Sequence, residues 1–219
     1  SHGICREMLQ PAPSNRYSFL KLHAHYDIDH IKMIEELNLK FIIQIRDLRD
    51  MLISRYHHIL ADRNHWQNSD LENSSFKDGF KKSILGISPE DKINVISYYS
   101  NWINDWYKYS TSNQKLCKII KYEDMKNNIF STFKSFLEFY NFQFSDEKIL
   151  KMIDNQRKKH IFTNQLSKNL KLPGRMKTTF RKGVIGEWGN LLDNEHKDII
   201  KEKAGSSLIQ LGYEKDYDW

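Results

Sequence analysis

The chain has 219 residues, enough for one domain with a substantial core, and we expect a single domain over residues 1–219. Its net charge of +6 and isoelectric point near 9.1 suit a protein that attracts an anion, whether a nucleotide, a nucleic acid or an anionic membrane. Two cysteines, Cys5 and Cys117, exclude a disulfide framework, and no apolar run is long enough for a membrane span. We therefore expect a cytoplasmic protein in which Cys117 is a small buried residue.

The first part of the chain alternates predicted helices and strands. The predicted elements are a helix over residues 4–9, a turn over 11–15, a strand over 17–22, a helix over 28–37, a strand over 40–45 and a helix over 48–60. Residues 61–86 are polar with few apolar side chains, and this composition predicts a long irregular excursion.

The second part continues the alternation. The predicted elements are a helix over 89–109, a strand over 116–122, helices over 123–140 and 146–156, a mobile polar loop over 165–176 and a final helix over 195–211. Trp102 and Trp106 lie one helical turn apart, so we expect both indoles in the core. Strands that alternate with helices are typical of an α/β fold, a three-layer sandwich with a central parallel sheet flanked by helices.

Residues 180–190, which read FRKGVIGEWGN, contain a pattern suited to binding phosphate. Arg181 and Lys182 run directly into Gly183, where the backbone can turn tightly and present its N–H groups beside both cations. A guanidinium, an ammonium and a backbone nest together suit a doubly charged phosphate. Taken alone, the motif is also compatible with a solvated basic turn before a helix.

A second pattern begins where the predicted strand 40–45 ends, at Arg46. Ligands of parallel α/β sheets bind at the carboxyl ends of strands, which is where Arg46 falls. Ser54 follows eight residues later, about two turns along the next helix, and its hydroxyl can face the same anion. The alternative is structural: Arg46 pairs with Asp50, and Ser54 faces solvent.

Together with residues 121–125 (KYEDM), these two motifs resemble the PAPS-dependent sulfotransferase family. That family moves a sulfuryl group from 3′-phosphoadenosine 5′-phosphosulfate (PAPS) to an acceptor hydroxyl or amine. Its late signature reads R-K-G-x-x-G-D-W, then a cation, then N, and this chain departs from it at Glu187 and Gly189. The resemblance implies a P-loop NTPase-like fold, PAPS as co-substrate and no metal.

The resemblance also implies individual roles in nucleotide binding. By their places in the motifs, the residues expected to bind the 3′-phosphate are Arg46, Ser54, Arg181, Lys182 and Gly183. Tyr122 is expected close to the adenine, and Phe162 is the best-placed residue to stack on it. The loop over 165–176 is expected to close over the nucleotide, and the excursion over 61–86 to cross the acceptor cleft.

The catalytic candidates lie in the segment Lys21-Leu22-His23, because the family carries a lysine, a threonine or serine, and a histidine there. His23 is expected to take the acceptor's proton, since the unperturbed imidazole of a histidine suits proton transfer near neutral pH, and Lys21 to stabilise developing charge. His25 is a second candidate for the base. The alternative is that both histidines are ordinary loop residues without a catalytic role. No further ligands with suitable spacing complete a metal site, so none is expected.

The family's 5′-phosphosulfate loop reads Pro, Lys or Arg, Ser, Gly, and it is incomplete here. Ser1-His2 is either the end of that loop or the remnant of a cleaved tag. Two functions therefore stay open: a sulfotransferase, or a non-catalytic PAPS-binding module that has lost the loop lysine. A nucleotide kinase would need a Walker loop and a magnesium-binding aspartate, and neither motif is recognisable in the sequence. The acceptor, a small molecule, carbohydrate or lipid, cannot be read from the sequence.

A nucleic-acid partner is not expected. Residues 157–160 form a basic run that could follow a phosphate backbone, but no array of basic and aromatic residues accompanies it. The run is more simply read as a solvated helix end.

Overall fold

The computed structural model describes residues 20–86, 92–169 and 183–219, with side chains of residues 159–169 outside the description. Its elements, in chain order, are α1 (Ile28–Glu36), β1 (Phe41–Ile45), α2 (Leu48–Ala61), α3 (Asn68–Leu71), α4 (Phe76–Leu85), α5 (Val95–Ser112), β2 (Cys117–Lys121), α6 (Tyr122–Asn127), α7 (Ile129–Phe139), α8 (Asp146–Asn169), α9 (Trp188–Leu191) and α10 (Asn194–Gln210).

Strands β1 and β2 form a parallel pair, in register from Phe41 opposite Cys117 to Ile45 opposite Lys121. Helices α2 to α5 lie in the connection between the two strands. Parallel strands need such a long crossover, and helices in it cover the faces of the sheet. The predicted α/β fold with a parallel sheet is thus confirmed.

Helix α2 is central to the main core. It begins at the N-cap Asp47, whose carboxylate accepts the N–H of Arg49, and its apolar side chains Leu52 and Ile53 are fully buried. Helices α4, α5 and α10 supply much of the rest of this core. The hydroxyls of Ser100 and Ser207, 2.5 Å apart, join α5 to α10.

A second core cluster confirms the expected core position of Trp106 and, in part, that of Trp102. Trp106 is 2% exposed, and Trp102 packs against the cluster as a partly buried residue. Both indole N–H groups donate to the carbonyl oxygen of Ala24, at 2.8 and 3.2 Å. Cys117 lies in the same cluster, and burial raises the pKa of its thiol to about 12, so it is the inert buried residue that we expected.

The predicted irregular excursion over residues 61–86 is wrong, because α3 and α4 lie within it. Few apolar residues occur there, but Leu71, Phe80 and Ile84 are placed to enter the core and are each at most 1% exposed. Phe80 and Ile84 lie one helical turn apart on the buried face of α4. A short apolar stripe therefore forms the helix although the segment is polar overall.

Other boundaries also differ from the prediction. The predicted helix over 123–140 is two helices, since the backbone of Asn128 is non-helical (φ −143°, ψ 60°) between α6 and α7. Helix α8 runs on to Asn169, so the basic run at 157–160 lies within a helix and residues 165–169 of the predicted loop are helical. Residues 20–22 are not in a strand. Residues 4–19 and 170–176, on which the other predictions fall, lie outside the described residues.

Candidate functional site

Arg46 lies directly after β1, at the carboxyl end of the sheet. Its Nη2 donates to the carbonyl oxygen of Val184 at 2.7 Å, and its guanidinium lies 4.7 Å from the centroid of the Tyr122 ring. Its Nε is buried and has no hydrogen-bond acceptor in the described part of the chain. A buried N–H without an acceptor is costly, so this guanidinium is suited to receive an anion.

Tyr122 reaches the same place from the neighbouring strand. It is the first residue of α6, directly after β2, and its hydroxyl lies 3.3 Å from the carbonyl oxygen of Gly183. Neighbouring parallel strands end at the same edge of a sheet. The fold therefore brings together Arg46, Tyr122 and Gly183, three of the residues that the sequence assigns to nucleotide binding.

Residues 183–188, which we call the glycine loop, bring the late motif to this edge. Gly183 and Gly186 have φ of 62° and 76°, a left-handed conformation that glycine adopts without strain. The N–H groups of Gly186 and Trp188 donate to the two carboxylate oxygens of Asp50, at 2.7 and 3.1 Å. These two N–H groups are therefore already bonded, and a backbone nest for phosphate has to use others.

The alternative interpretation of the sequence is that Arg46 forms an ion pair with Asp50 and binds no ligand. An oxygen of Asp50 lies 3.9 Å from Nη2 of Arg46, at the outer limit of an ion pair, and the carboxylate is bonded more closely to the glycine loop. Burial raises the pKa of Asp50, and the two backbone N–H bonds offset only part of that rise. The main contact of Asp50 is thus with the loop.

Arg49 is a buried residue whose role the sequence did not reveal. Its guanidinium lies between two indoles, 3.6 Å from the Trp188 centroid and 4.5 Å from that of Trp219. It forms two hydrogen bonds with Asp47, at 3.0 and 2.7 Å, and a third with Glu214. Burial lowers the pKa of Arg49, but the two carboxylates outweigh it and the net shift is upwards. The alternating charges in residues 46–50 were the available signal.

Of the other residues predicted to bind the nucleotide, the structure describes the side chain of Ser54 alone. Ser54 is half-buried in α2, two turns beyond Arg46. Phe162 lies in α8 with its side chain outside the described residues. Arg181 and Lys182 lie outside the described residues and directly precede Gly183 in sequence.

The catalytic candidates lie in the irregular segment that precedes α1. Lys21 and His23 are exposed, whereas His25 is half-buried. The Nε2 of His25 lies 2.9 Å from the hydroxyl of Tyr98 in α5, and both side chains line a cavity of about 310 Å³. His25 and the carbonyl oxygen of Ala24 contact α5, and within the described ranges no contact joins His23 or His25 to Arg46.

Comparison with known proteins finds a family for this chain. A family model described as "Sulfotransferase domain" matches residues 6–212. The chain belongs to the sulfotransferase family. The match includes the three motifs around Arg46, Tyr122 and Gly183.

Individual sulfotransferases are distant relatives of this chain. It is 28% identical over 191 residues to flavonol 4′-sulfotransferase from Flaveria chlorifolia, covering 83% of the chain and 56% of that protein. It is 26% identical over 182 residues to cytosolic sulfotransferase 5 from Arabidopsis thaliana, covering 78% of the chain and 53% of that protein. The chain thus spans just over half the length of these relatives.

The fold of the chain is similar to solved sulfotransferase-type structures. Retinol dehydratase in complex with androsterone and PAP superposes with a TM-score of 0.63 at 17% identity, covering 92% of this chain and 56% of that one. This similarity establishes the fold. Across the described ranges, no helix is both long and apolar enough to cross a membrane.

Proposed function

We propose that this sulfotransferase-family chain binds PAPS and transfers its sulfuryl group to a hydroxyl or amine of an acceptor. The observation that carries the proposal is Arg46: a guanidinium at the carboxyl edge of a parallel sheet, with a buried Nε that has no acceptor in the described part of the chain. Such a donor fits an anion with several oxygens, and in this family that anion is the nucleotide's 3′-phosphate.

The surroundings of Arg46 support the same assignment. The Tyr122 ring lies against the guanidinium, beside the position proposed for adenine. Arg181 and Lys182 directly precede Gly183 in sequence, and the carbonyl oxygen of Gly183 lies within hydrogen-bonding distance of the Tyr122 hydroxyl. Ser54 adds a hydroxyl from α2. We propose that these groups hold the 3′-phosphate and that Phe162 stacks on the adenine.

For the transfer step we propose His23 as the base and Lys21 as the group that stabilises developing charge. PAPS supplies the activated sulfuryl group, and positioning and electrostatics account for most of such catalysis. His23 is exposed, so an acceptor can approach it, whereas His25 lies against the Tyr98 hydroxyl. His25 is then better suited to orient the segment or to line the acceptor pocket.

The acceptor that we propose is a small molecule with a hydroxyl group. The names of relatives support this class, since one is a flavonol 4′-sulfotransferase and a structural neighbour was solved with androsterone. A relative named as cytosolic supports our proposal that the protein acts in the cytoplasm. Carbohydrate and lipid acceptors are further arms of the test.

Two measurements test the proposal. Isothermal titration calorimetry compares adenosine 3′,5′-bisphosphate with adenosine 5′-monophosphate, and we expect the bisphosphate to bind much more tightly because only it has a 3′-phosphate. Radiolabelled PAPS is then offered with phenols, sterols, sugars and lipids. Transfer to any acceptor supports the enzyme. Tight binding with no transfer to any of them supports the non-catalytic module, and equal affinity for the two nucleotides contradicts the 3′-phosphate site.

A further inference from the structure

In the first turn of α2, the N–H of the N-cap residue is not accepted by the side chain that usually caps it. Asp47 is the N-cap and Asp50 the third helical residue, the two positions of a capping box. In that motif the acidic side chain at the third position accepts the N–H of the N-cap residue. Here the N–H of Asp47 donates instead to Glu123 of α6, at 3.0 Å. The carboxylate of Asp50 is therefore released from capping its own helix.

Asp50 uses this freedom to bind the glycine loop. Its two oxygens accept the N–H groups of Gly186 and Trp188, which lie 136 and 138 residues away in sequence. The Asp50 side chain has no exposed surface, and burying a carboxylate is costly unless its oxygens are hydrogen-bonded. The two N–H bonds meet that requirement, so loop and carboxylate depend on each other.

The anchored loop in turn determines what surrounds Arg46. The carbonyl oxygen of Val184, inside the loop, accepts the Nη2 of Arg46, and that of Gly183 faces the Tyr122 hydroxyl. If Asp50 let the loop move, Arg46 would lose its 2.7 Å partner. The unbonded oxygens of Asp50 would then also lie near the guanidinium and compete with an anion for it.

We propose that Asp50 is a positioning residue for the anion site: it holds the glycine loop through two N–H bonds, and the loop orients Arg46 towards the ligand. The inference rests on the proposed function in one respect, that the anion is the nucleotide's 3′-phosphate. In this proposal Asp50 acts through the loop and not through a contact with the nucleotide. Its effect should therefore appear in the preference for the 3′-phosphate and not only in stability.

The test is Asp50→Asn in the full chain, with affinities for adenosine 3′,5′-bisphosphate and adenosine 5′-monophosphate measured by calorimetry. Asparagine has the same shape, but its NH₂ group faces one of the loop N–H groups, so one bond is replaced by a repulsion. We expect bisphosphate affinity to fall about tenfold to a hundredfold, with monophosphate affinity nearly unchanged. A variant that keeps the wild-type preference overturns the inference.

The matched control is the opposite exchange at a distant buried site, Asn68→Asp. The Nδ2 of Asn68 donates to the carbonyl oxygen of Ile59 at 2.7 Å, so aspartate there also breaks a buried hydrogen bond. This variant should lose stability and keep the preference between the nucleotides. Wild-type protein that lacks the preference refutes the proposed function itself, which separates that failure from failure of the inference.

Two further measurements apply if Asp50→Asn does not fold. Asp50→Ser leaves space for water to bond both N–H groups, and the same loss of preference is expected. In the wild-type protein, hydrogen exchange at the amides of Gly186 and Trp188 should be slow before any nucleotide is added, because Asp50 already accepts both. Fast exchange at these amides in the free protein overturns the inference whatever the variants do.

Discussion

Replacing Arg46 with alanine is the most direct test of the proposed nucleotide site. The Arg46 side chain is 20% exposed, so a charge-assisted contact with a phosphate is largely shielded from water. Loss of such a contact costs about 1.5–3 kcal/mol, which corresponds to a fall in affinity of roughly tenfold to 150-fold. Only a ligand with a 3′-phosphate should lose this amount, so adenosine 5′-monophosphate is the internal reference.

The expected size of the effect can be followed as thermal stabilisation. A ligand at about 100 times its Kd stabilises the folded protein by about 2.7 kcal/mol, and at about ten times its Kd by about 1.4 kcal/mol. For a chain of this size, each kcal/mol raises Tm by about 2–4 °C. At the same bisphosphate concentration, the shift should fall from about 5–11 °C in the wild type to about 3–6 °C or less in Arg46→Ala.

The control is Arg55, an arginine within α2, the helix that follows Arg46. Arg55 donates to the carbonyl oxygen of Ser83 at 3.2 Å and to Gln67 at 2.5 Å, so Arg55→Ala also removes a partly buried guanidinium. It should lower the Tm of the free protein and leave the bisphosphate shift intact. If Arg46→Ala weakens both nucleotides equally, or weakens neither, Arg46 does not bind the 3′-phosphate and the proposed site is wrong.

Three more predictions concern catalysis, the buried arginine and the loop. His23→Ala should keep bisphosphate affinity and lose about 10²–10⁴ in turnover with PAPS and an identified acceptor, whereas His25→Ala should have the milder defect; the reverse order would assign the base to His25. Arg49→Met should lower the free energy of unfolding in urea by about 3–5 kcal/mol, because it leaves the buried carboxylate of Asp47 and the partly buried one of Glu214 unpaired, and a loss under 1 kcal/mol would contradict this. Gly186→Ala should cost about 1–2 kcal/mol through its φ of 76° alone, since an added Cβ meets nothing within 4 Å; Gly189→Ala, equally unobstructed, is the control and should be nearly neutral.

Local sequence patterns were enough to locate the elements that carry the site. The apolar run that ends at Arg46 predicts β1, and the apolar spacing from Leu48 predicts α2. Both depend on contacts within a few residues, as does the turn at Gly183. The three motifs also identified the family, because their residue types and spacing are visible without any tertiary contact.

Predictions failed where a helix depends on distant partners. Helix α4 lies in a segment whose polar composition indicated a loop, and it is held by Phe80 and Ile84, which are buried in a core made largely by other elements. A few apolar residues at helical spacing are too weak a sequence pattern to predict a helix. Such a helix is stable only when its apolar face packs against other elements of the fold. The break at Asn128 likewise divides a segment whose spacing predicted one continuous helix.

The sequence by itself determined that Arg46 ends a strand, that the glycine loop follows two cations, and that Asp47 and Asp50 occupy capping positions. Only the tertiary structure decided which partner Asp50 takes. Helical spacing sets what lies within reach along one turn, and by that rule Asp50 would cap the N–H of Asp47. Glu123, which follows β2, accepts that N–H instead, and the carboxylate of Asp50 binds a loop more than 130 residues away. No local sequence pattern indicates which of the two carboxylates accepts the N–H of Asp47.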